Sequence, residues 1–325
     1  MAFTYEIVKE RTKEGPEEAA QVTGFQGRLR DLVVPGQLEG RTVRAIGAHA
    51  FEHRKELRSA FLPESVKTLR SFAFYGCMNL ASIELFNTTD DYYDGVIRQC
   101  PSLYLITVHC TVQDNYIIAR EMLRDVDGTL SFRLLTGEGE IRLTFPEYVN
   151  EAKEDTMARA IHFSIEGAGM AYRECVGRRQ LDLSAYDQLL GRLTDYDFDV
   201  ASRIALGRLT CPVRLTKRSE KGYEDFLREN DVKALAGLIT GKRTAADPHS
   251  LSLSGSKPAG LSEWETGQKE NIKTLLDRRL IGPGALETGL ALAAAGEKTE
   301  LCSMLMEYRN NVFPEGSRKT FTLDW

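Results

Sequence analysis

A 23-residue repeat in the first third of the chain constrains the fold more than any other feature of the sequence. Apolar residues recur at this spacing in several parallel series. The series are Leu57, Leu80 and Leu103; Ala60, Ile83 and Ile106; Leu62, Leu85 and Val108; Ile46, Leu69 and Tyr92; and the pairs Ala50-Phe51, Ala73-Phe74 and Val96-Ile97. A fixed period in the twenties is typical of a solenoid, in which each repeat buries its apolar face against its neighbours. The sequence therefore predicts an architecture more directly than a biological task.

Composition excludes several classes of partner. The chain of 325 residues is long enough for two or more domains, and its hydrophobic fraction of 42% is ordinary for a globular protein. Its net charge of -5 argues against general nucleic-acid binding, which needs clustered Lys and Arg. The charged N-terminus does not resemble a secretion signal, and no apolar run approaches the ~20 residues that cross a bilayer. We therefore expect no nucleic-acid partner and no membrane partner.

The cysteines predict reducing, cytoplasmic surroundings. They are Cys77, Cys100, Cys110, Cys175, Cys211 and Cys302. No two of them form a C-x-x-C pair, so neither a zinc site nor a disulfide framework is indicated. Cys77 and Cys100 lie 23 residues apart, which would suit a metal or redox pair. Small buried hydrophobes at one repeat position are the more frequent explanation, so we interpret both as core residues and expect no metal and no cofactor.

Each repeat is predicted to contain one short strand and one turn. The spacing of two between Ile83 and Leu85 is typical of a strand whose side chains alternate between faces, and Leu80 joins them in the core. Phe74 and Cys77 are predicted to pack in a helical or irregular turn on the other side of the coil. The expected result is a flat coil with a strand on one side.

Side chains that alternate with the core positions are predicted to point outward. They are Ser59, Phe61, Ser82, Glu84, Leu105 and Thr107. Phe61 and Leu105 would be exposed apolar groups on one sheet, which makes the six residues our candidate protein-contact surface. The equally open alternative is that the next domain or an N-terminal strand covers them. At about 4.8 Å per strand, three or four repeats span under ~20 Å, which suits a peptide or a loop.

The repeat at residues 62–85, LPESVKTLRSFAFYGCMNLASIEL, resembles the BspA-like leucine-rich repeat, which is common in bacterial proteins. The resemblance covers roughly residues 20 to 110 and implies a short right-handed solenoid over residues 1–110. The third copy departs from the pattern, because Val96-Ile97 replaces Ala-Phe and Asn87-Thr88 replaces the proline corner. Since terminal repeats are atypical, this departure predicts that the array ends near His109.

Residues 111–200 are predicted to form a capping sheet and a helical connector. Runs at 115–119, 129–135 and 140–145 have the composition of strands, and Asp127-Gly128 is a hairpin signal between two of them. Helices are predicted at 146–149 and 155–163. No nucleophile, metal or phosphate motif stands out in this region, so no catalytic or cofactor-binding residue is assigned.

Residues 201–325 are predicted to be helical. Segments 223–239, 270–279 and 288–308 carry helical apolar spacing. Thr288, Leu290 and Ala293 are similar to the T-P-L-H-x-A motif of ankyrin repeats, and Gly296 is expected to end that helix. Residues 243–262 are rich in Ser, Gly, Ala and Pro, which predicts a flexible loop. The predicted fold class is α+β, a leucine-rich solenoid followed by an ankyrin-like helical domain.

Three functions are compatible with these patterns. We favour a non-catalytic scaffold or adaptor that contacts a protein or peptide, whose identity the sequence does not give; the oligomeric state is equally open. The second is an enzyme subunit with its site in residues 111–200. The third is a cell-surface adhesin, because the BspA-like family includes surface proteins, but we find neither an export signal nor an anchoring signal.

Overall fold

A computed structural model of the protein describes residues 2–12, 15–155, 160–193, 197–240 and 261–314. The predicted loop 243–262 lies outside the described residues except for 261–262, which begin a helix. The strands are β1 (Ala2–Thr12), β2 (Gly15–Gln26), β3 (Asp31–Val33), β4 (Gln37–Leu38), β5 (Arg41–Ile46), β6 (Ser59–Phe61), β7 (Thr68–Leu69), β8 (Ser82–Phe86), β9 (Asp91–Tyr92), β10 (Leu105–His109), β11 (Leu130–Thr136), β12 (Gly139–Phe145), β13 (Val149–Asp155) and β14 (Ala160–Glu166). The helices are α1 (Ile117–Asp125), α2 (Gly169–Glu174), α3 (Leu183–Gln188), α4 (Phe198–Thr210), α5 (Lys217–Glu229), α6 (Asp231–Thr240), α7 (Leu261–Asp277), α8 (Pro283–Ala295) and α9 (Thr299–Val312).

The repeats alternate between two sheets that share one core. The first sheet has the order β1-β2-β5-β7-β9 with β4 beside β5, and the second, which we call the repeat sheet, has the order β12-β11-β10-β8-β6-β3. In the repeat sheet, parallel pairing places Ala60 beside Ile83 and Ile83 beside Ile106, and all three are buried. The 23-residue repeat is therefore the register of the sheet.

The turns repeat a left-handed backbone conformation at two positions. One series is His49, Phe72 and Gly95, with φ of 58°, 60° and 71°, and the other is His53, Gly76 and Gln99, with φ of 56°, 66° and 59°. A residue other than glycine loses about 1–2 kcal/mol when it adopts this left-handed conformation. The stacking of the coils, and not local preference, therefore imposes the conformation. A side chain at Gly76 would also collide with the imidazole ring of His53.

Aromatic rings and thiols fill the inside of the turns. The rings of Phe51 and Phe74 are stacked with centroids 5.3 Å apart. The Cys77 thiol donates to the Phe51 carbonyl at 3.0 Å, and the Cys100 thiol donates to the Phe74 carbonyl at 3.1 Å. Contact with the Cys77 thiol, followed by burial, raises the pKa of Cys100, which keeps it protonated. Both cysteines hold equivalent places in successive coils as core residues.

Asp125, the last residue of α1, ends the hydrogen-bond ladder of the turns. Within the array, the Phe72 amide donates to the Asp94 carbonyl of the next coil at 3.2 Å. The equivalent amide of Gly95 donates to Asp125 Oδ1 at 3.2 Å, and that of Ile97 donates to Oδ2 at 3.3 Å. A single carboxylate therefore replaces two main-chain acceptors that a further coil would supply.

The strand predicted at residues 115–119 is wrong, because α1 begins at Ile117. Ile118 and Met122 are both buried, and their spacing of four puts them on one face of a helix. The predicted Asp127-Gly128 hairpin is also wrong, since these residues follow a helix and lead into β11. That strand pairs in parallel with β10, so the repeat sheet continues past His109, and the antiparallel partner of β11 is β12.

The helices predicted at 146–149 and 155–163 are wrong as well over the described part of these ranges, which excludes residues 156–159. Residues 146–148 form no helix, and β13 and β14 pair as an antiparallel hairpin. The sequence alternates apolar and polar residues at Ile161, Phe163 and Ile165, which is the strand period of two. The chain then turns at Gly167, with φ of 89°, and α2 begins two residues later.

The C-terminal helices pack on the last strand of the repeat sheet. Gly207 of α4 lies against β12, where a Cβ atom would come within 3.2 Å of Arg142 Cβ, so the glycine permits close approach. The Tyr186 hydroxyl donates to the Thr144 carbonyl at 2.7 Å and accepts from the Thr144 amide at 2.8 Å. Tyr186 thus satisfies both main-chain groups of Thr144, on the outer edge of β12.

The bounds of the C-terminal helices agree in part with those predicted from the sequence. The segment predicted at 223–239 consists of two helices, α5 and α6, which Asn230 separates. Helix α8 ends at Ala295 with Gly296 as its C-cap, as predicted. The ankyrin-like assignment is not confirmed. No helix in the described ranges combines the length and hydrophobicity that crossing a bilayer requires.

Candidate functional site

The outer face of the repeat sheet carries three rows of side chains that run across its strands. The register gives the rows Asp31, Ser59, Ser82, Leu105, Ser131 and Thr144; Val33, Phe61, Glu84, Thr107, Arg133 and Arg142; and Phe86, His109, Leu135 and Glu140. The six candidate contact residues are neighbours within the first two rows. The structure therefore brings them together on one face.

One end of this face is open and apolar. Val33 is 62% exposed beside Phe61, whose ring meets the edge of the Phe86 ring at 6.3 Å. Phe86 stacks on His109 at 4.6 Å, and His109 Nε2 lies 2.6 Å from Glu84 Oε1. We call these five residues the aromatic strip. It joins partly exposed apolar surface to the Glu84 carboxylate across four neighbouring strands.

The sequence reasoning missed three members of the strip. Val33 lies in β3, which precedes the best-matching repeats, whereas Phe86 and His109 lie at strand ends, one residue beyond the core alternation. A signal was present, because Pro63, Phe86 and His109 follow the 23-residue spacing. Searching every position of the repeat for flat side chains would have found Phe86 and His109, whereas Val33 lies outside this series.

Helices cover the other end of the same face. Thr107 is only 8% exposed, and Leu105 lines a cleft between the sheet and the helices. Ser59, Phe61, Ser82 and Glu84 remain partly exposed. Both alternatives raised by the sequence are therefore realised, with one end of the candidate surface open and the other end covered by the following domain.

The cleft at the covered end has a volume of about 320 Å³. Its walls come from Tyr104 and strands β10, β11 and β12 on one side, and from helices α4, α6 and α7 on the other. Leu105, Leu143 and Leu238 are among the apolar lining residues. These elements are distant in sequence, so the cleft exists only in the folded chain.

An ion-pair chain runs along the cleft from the sheet to α7. Glu140 Oε1 accepts hydrogen bonds from Arg133 Nε at 2.9 Å and from Arg142 Nε at 2.6 Å. Arg142 Nη2 donates to Glu270 Oε2 at 2.6 Å. Burial opposes ionisation of Glu140, but hydrogen bonds from the two arginines outweigh it and lower the pKa of Glu140. Glu140 is therefore ionised at neutral pH, and this series of ion pairs fixes α7 against the sheet.

A second polar cluster is fully buried and structural. Arg208 Nε donates to Asp187 Oδ1 at 2.8 Å, and the Tyr223 hydroxyl donates to the same oxygen at 2.9 Å. Neither charged side chain has solvent exposure, so the pair anchors α4 to α3 and presents nothing to a ligand. Across the described ranges, no three His, Cys, Asp or Glu side chains come together as metal ligands would.

Comparison with known proteins bears on the repeats. Residues 36–128 match the family described as BspA type leucine-rich repeat region, in six copies. The leucine-rich repeat prediction is confirmed. The matched range includes α1 and reaches 18 residues beyond residue 110. A comparison with curated proteins found no match.

Three solved structures are similar over about a third of this chain. A leucine-rich cell surface protein from Faecalibacterium prausnitzii has 21% identity over 34% of this chain and 32% of its own, with a TM-score of 0.26. A T. pallidum leucine-rich repeat protein has 18% identity over 32% and 68%, with a TM-score of 0.22. A Bacteroides ovatus leucine-rich repeat protein has 15% identity over 32% and 48%, with a TM-score of 0.18. The chain therefore spans only a third of the length of the first of these proteins.

Proposed function

We propose that the protein is a non-catalytic binding protein that holds a loop or peptide of a protein partner on the aromatic strip. A BspA-type repeat region indicates a role in protein interaction or at a cell surface. The observation that carries the proposal is that Val33 is exposed and Phe61 and Phe86 are partly exposed, while helices cover the other end of the same face. Exposed apolar groups gathered on one face, next to polar ones, are typical of a contact surface.

The dimensions of the strip define the partner. It crosses β3, β6, β8 and β10, and three spacings of about 4.8 Å give a width of about 14 Å. This width suits an extended peptide or a single loop. The aromatic rings offer rigid contact area, and Ser59 with Asp31, which share a 2.6 Å hydrogen bond, provide a polar rim.

The helical region is part of the same proposal. Helix α6 packs on α8, and α8 packs on α9, which supports an ankyrin-like scaffold that displays a second surface. We further propose domain limits near residues 110 and 200, with β11 and β12 of the middle segment capping the repeat sheet. The cytoplasmic location that the cysteine pattern predicts stays a prediction.

Affinity purification from the native host, with chemical crosslinking, tests the role of the strip. Phe61→Ser removes the central ring of the strip, and Met78→Ser is the matched control because Met78 is 46% exposed in a turn away from it. Loss of an aromatic hot spot costs about 2 kcal/mol or more, which is about 30-fold in affinity. A protein retained by the wild type and by Met78→Ser, and lost with Phe61→Ser, supports the proposal.

Two results would contradict it. One is that no protein co-purifies reproducibly with the wild type. The other is that both variants retain the same proteins in equal amount. Circular dichroism and the thermal midpoint of each variant establish that the comparison is made between folded proteins.

A further inference from the structure

The first sheet ends on one side in a long strand, β1, whose outer edge is open. At the other side the sheet ends in β9, which has two residues and is joined to α1 by the hydrogen bond from Tyr92 to Asp125. Strand β1 has 11 residues, and β2 is its only partner among the described strands. An edge of this length presents a row of main-chain donors and acceptors on which a further strand can pair.

The main-chain groups of alternate residues in β1 point away from β2. The Val22 carbonyl accepts a hydrogen bond from the Gly47 amide at 2.7 Å, so the main chain of Val22 is directed toward β5. Tyr5 lies opposite Val22, and its amide and carbonyl therefore face the open edge. Because this direction alternates along a strand, the same holds for Phe3 and Ile7. Among the described residues, no main-chain group pairs with these outward groups.

The first part of β1 lacks the features that normally protect an edge strand. Proline, lysine and bulges on an edge oppose pairing with another chain. Residues 2–8, AFTYEIV, contain no proline and one charged residue, Glu6. The bulge between β1 and β2 lies on the β2 side, at Thr23, so β1 itself stays regular. Residues 2–8 therefore offer an uninterrupted template for a strand.

The same segment leaves apolar side chains uncovered on one face. Ile7 is 51% exposed, and Phe3 and Tyr5 are partly exposed although they pack against the core. These three side chains lie on the face of the sheet that carries the buried Val22, because residues opposite each other in antiparallel strands share a face. The apolar core of the repeats therefore reaches β1 without covering it.

We propose that two copies of the chain pair through residues 2–8 of β1, antiparallel and about a two-fold axis at Tyr5. Phe3 then lies opposite Ile7 of the second copy, Thr4 lies opposite Glu6, and the two Tyr5 residues lie opposite each other. The outward amides and carbonyls of Phe3, Tyr5 and Ile7 meet those of the second copy and form hydrogen bonds in both directions. Each copy contributes the same surface, as in most two-fold dimers.

The pattern of β1 favours a second copy because the strand is complementary to itself in this register. An axis at Glu6 would set two carboxylates opposite each other, and an axis at Lys9 would set two ammonium groups opposite each other, both of which are destabilising. An axis at Ile7 would place Tyr5 opposite Lys9. The axis at Tyr5 brings no like charges together, and it joins Phe3, Tyr5 and Ile7 of both copies into one apolar cluster.

The size of the contact sets its strength. Stable complexes bury about 1,200–2,000 Å² in total, and one added strand of seven residues buries less than that. The dimer is therefore expected to dissociate with a Kd of about 10–100 μM. The aromatic strip takes no part in this contact, so the proposal stands or fails independently of the proposed function.

Sedimentation equilibrium of the full chain at about 1–300 μM tests the dimer, because this range spans the expected Kd. Ile7→Lys is expected to raise Kd by more than about tenfold, since a lysine on an edge opposes pairing. Ile7→Pro should act in the same way, because proline removes an outward amide and leaves the bonds to β2 in place. Val232→Lys is the matched control, since Val232 is a 43% exposed apolar residue of α6, and it should leave Kd unchanged.

Disulfide trapping tests the position of the axis. In the proposed register the two Tyr5 Cα atoms lie about 5.5 Å apart, which a disulfide can bridge, so Tyr5→Cys should form a covalent dimer on mild oxidation. The two Ile7 residues lie four positions apart along the strands, or about 14 Å, so Ile7→Cys should crosslink at least about tenfold more slowly. Peptide mass spectrometry distinguishes the introduced disulfide from those of the partly exposed Cys110, Cys211 and Cys302. Near-ultraviolet circular dichroism shows whether each variant keeps the wild-type packing.

Three outcomes would overturn the proposal. The first is a wild-type chain that stays monomeric over the whole concentration range, which would leave the edge to a strand of another protein. The second is a dimer with the same Kd in the wild type, Ile7→Lys and Ile7→Pro, which would place the contact away from β1. The third is faster crosslinking of Ile7→Cys than of Tyr5→Cys, which would exclude the axis at Tyr5.

Discussion

Replacing Asp125 by alanine should unravel the end of the repeat array. The Asp125 carboxylate accepts hydrogen bonds from the Tyr92 hydroxyl at 2.7 Å and from the Gly95 and Ile97 amides. Its side chain is only 6% exposed, so water does not readily replace it. Truncation would therefore leave three donors without an acceptor in a buried place.

The magnitude follows from those three donors. A buried donor left without a partner costs about 1–3 kcal/mol, and the space that alanine leaves admits a water that recovers part of the loss. We expect Asp125→Ala to lower the free energy of unfolding of the repeats by about 3–5 kcal/mol. That is a large part of the about 5–15 kcal/mol that holds a typical domain together.

Hydrogen exchange read residue by residue is the assay, because it separates the array from the helices. In Asp125→Ala, the amides of Gly95 and Ile97 should lose protection first and by the largest factor. The control is Asp94→Ala. Arg98 Nη2 contacts both carboxylates, Asp125 Oδ1 at 3.2 Å and Asp94 Oδ1 at 2.8 Å, but the Asp94 side chain is 70% exposed. Its effect should stay below about 1 kcal/mol, as for surface ion pairs.

A loss below about 1 kcal/mol in Asp125→Ala, or one equal to that of Asp94→Ala, would refute this reasoning. So would unchanged protection of the Gly95 and Ile97 amides. Either result would mean that the coils do not need the carboxylate as a terminal acceptor.

Three other changes test the core and the turns. Phe74→Ala should lower the free energy of unfolding by about 3–5 kcal/mol because it leaves a cavity, whereas Glu84→Ala should lower it by less than about 1 kcal/mol. Urea denaturation followed by circular dichroism measures both values, and equal losses would contradict the assigned register. Gly76→Ala should cost at least about 1–2 kcal/mol in the same assay, because φ there is 66°, and a neutral result would contradict the imposed turn. Burial raises the pKa of Cys110 to about 11, so its alkylation by iodoacetamide, followed by mass spectrometry, should be slow at neutral pH and rise about tenfold per pH unit until that value; a plateau near neutral pH would oppose it.

The repeats could be predicted because the same spacing of apolar residues occurs in several copies. Strand β6 has only three residues, and an alternation of apolar and polar residues over so short a segment does not by itself predict a strand. When Ala60, Ile83 and Ile106 recur at one spacing, the copies support each other and fix the register. Cys77 and Cys100 could be assigned to the core for the same reason.

Outside the repeats, local patterns were ambiguous. A short apolar run such as Ile117-Ile118 fits a strand and a helix equally well, and the next turn of the helix decides between them. Strand β14 shows strand alternation at Ile161, Phe163 and Ile165, but this pattern occurs only once and the segment was predicted to be helical. These errors arise where a single copy of a weak signal stands alone.

The cleft and the covered end of the face had no local signal at all. Arg142 and Glu270 are 128 residues apart, yet their ion pair joins the two walls. Which outward residues stay open depends on where α4 and α7 pack, and that depends on long-range contacts. Phe61 and Thr107 hold the same repeat position two copies apart, yet Phe61 stays partly exposed whereas Thr107 is buried.

The contact between Tyr186 and Thr144 limits how the protein can assemble. An exposed sheet edge is a template on which another chain can add a strand, and this is how many proteins start to form fibres. At β12 the hydroxyl already occupies the Thr144 amide and carbonyl, and at the opposite edge β3 is only three residues long. Tyr186 therefore blocks the addition of a strand at Thr144, and the short β3 offers little template at the opposite edge of the repeat sheet.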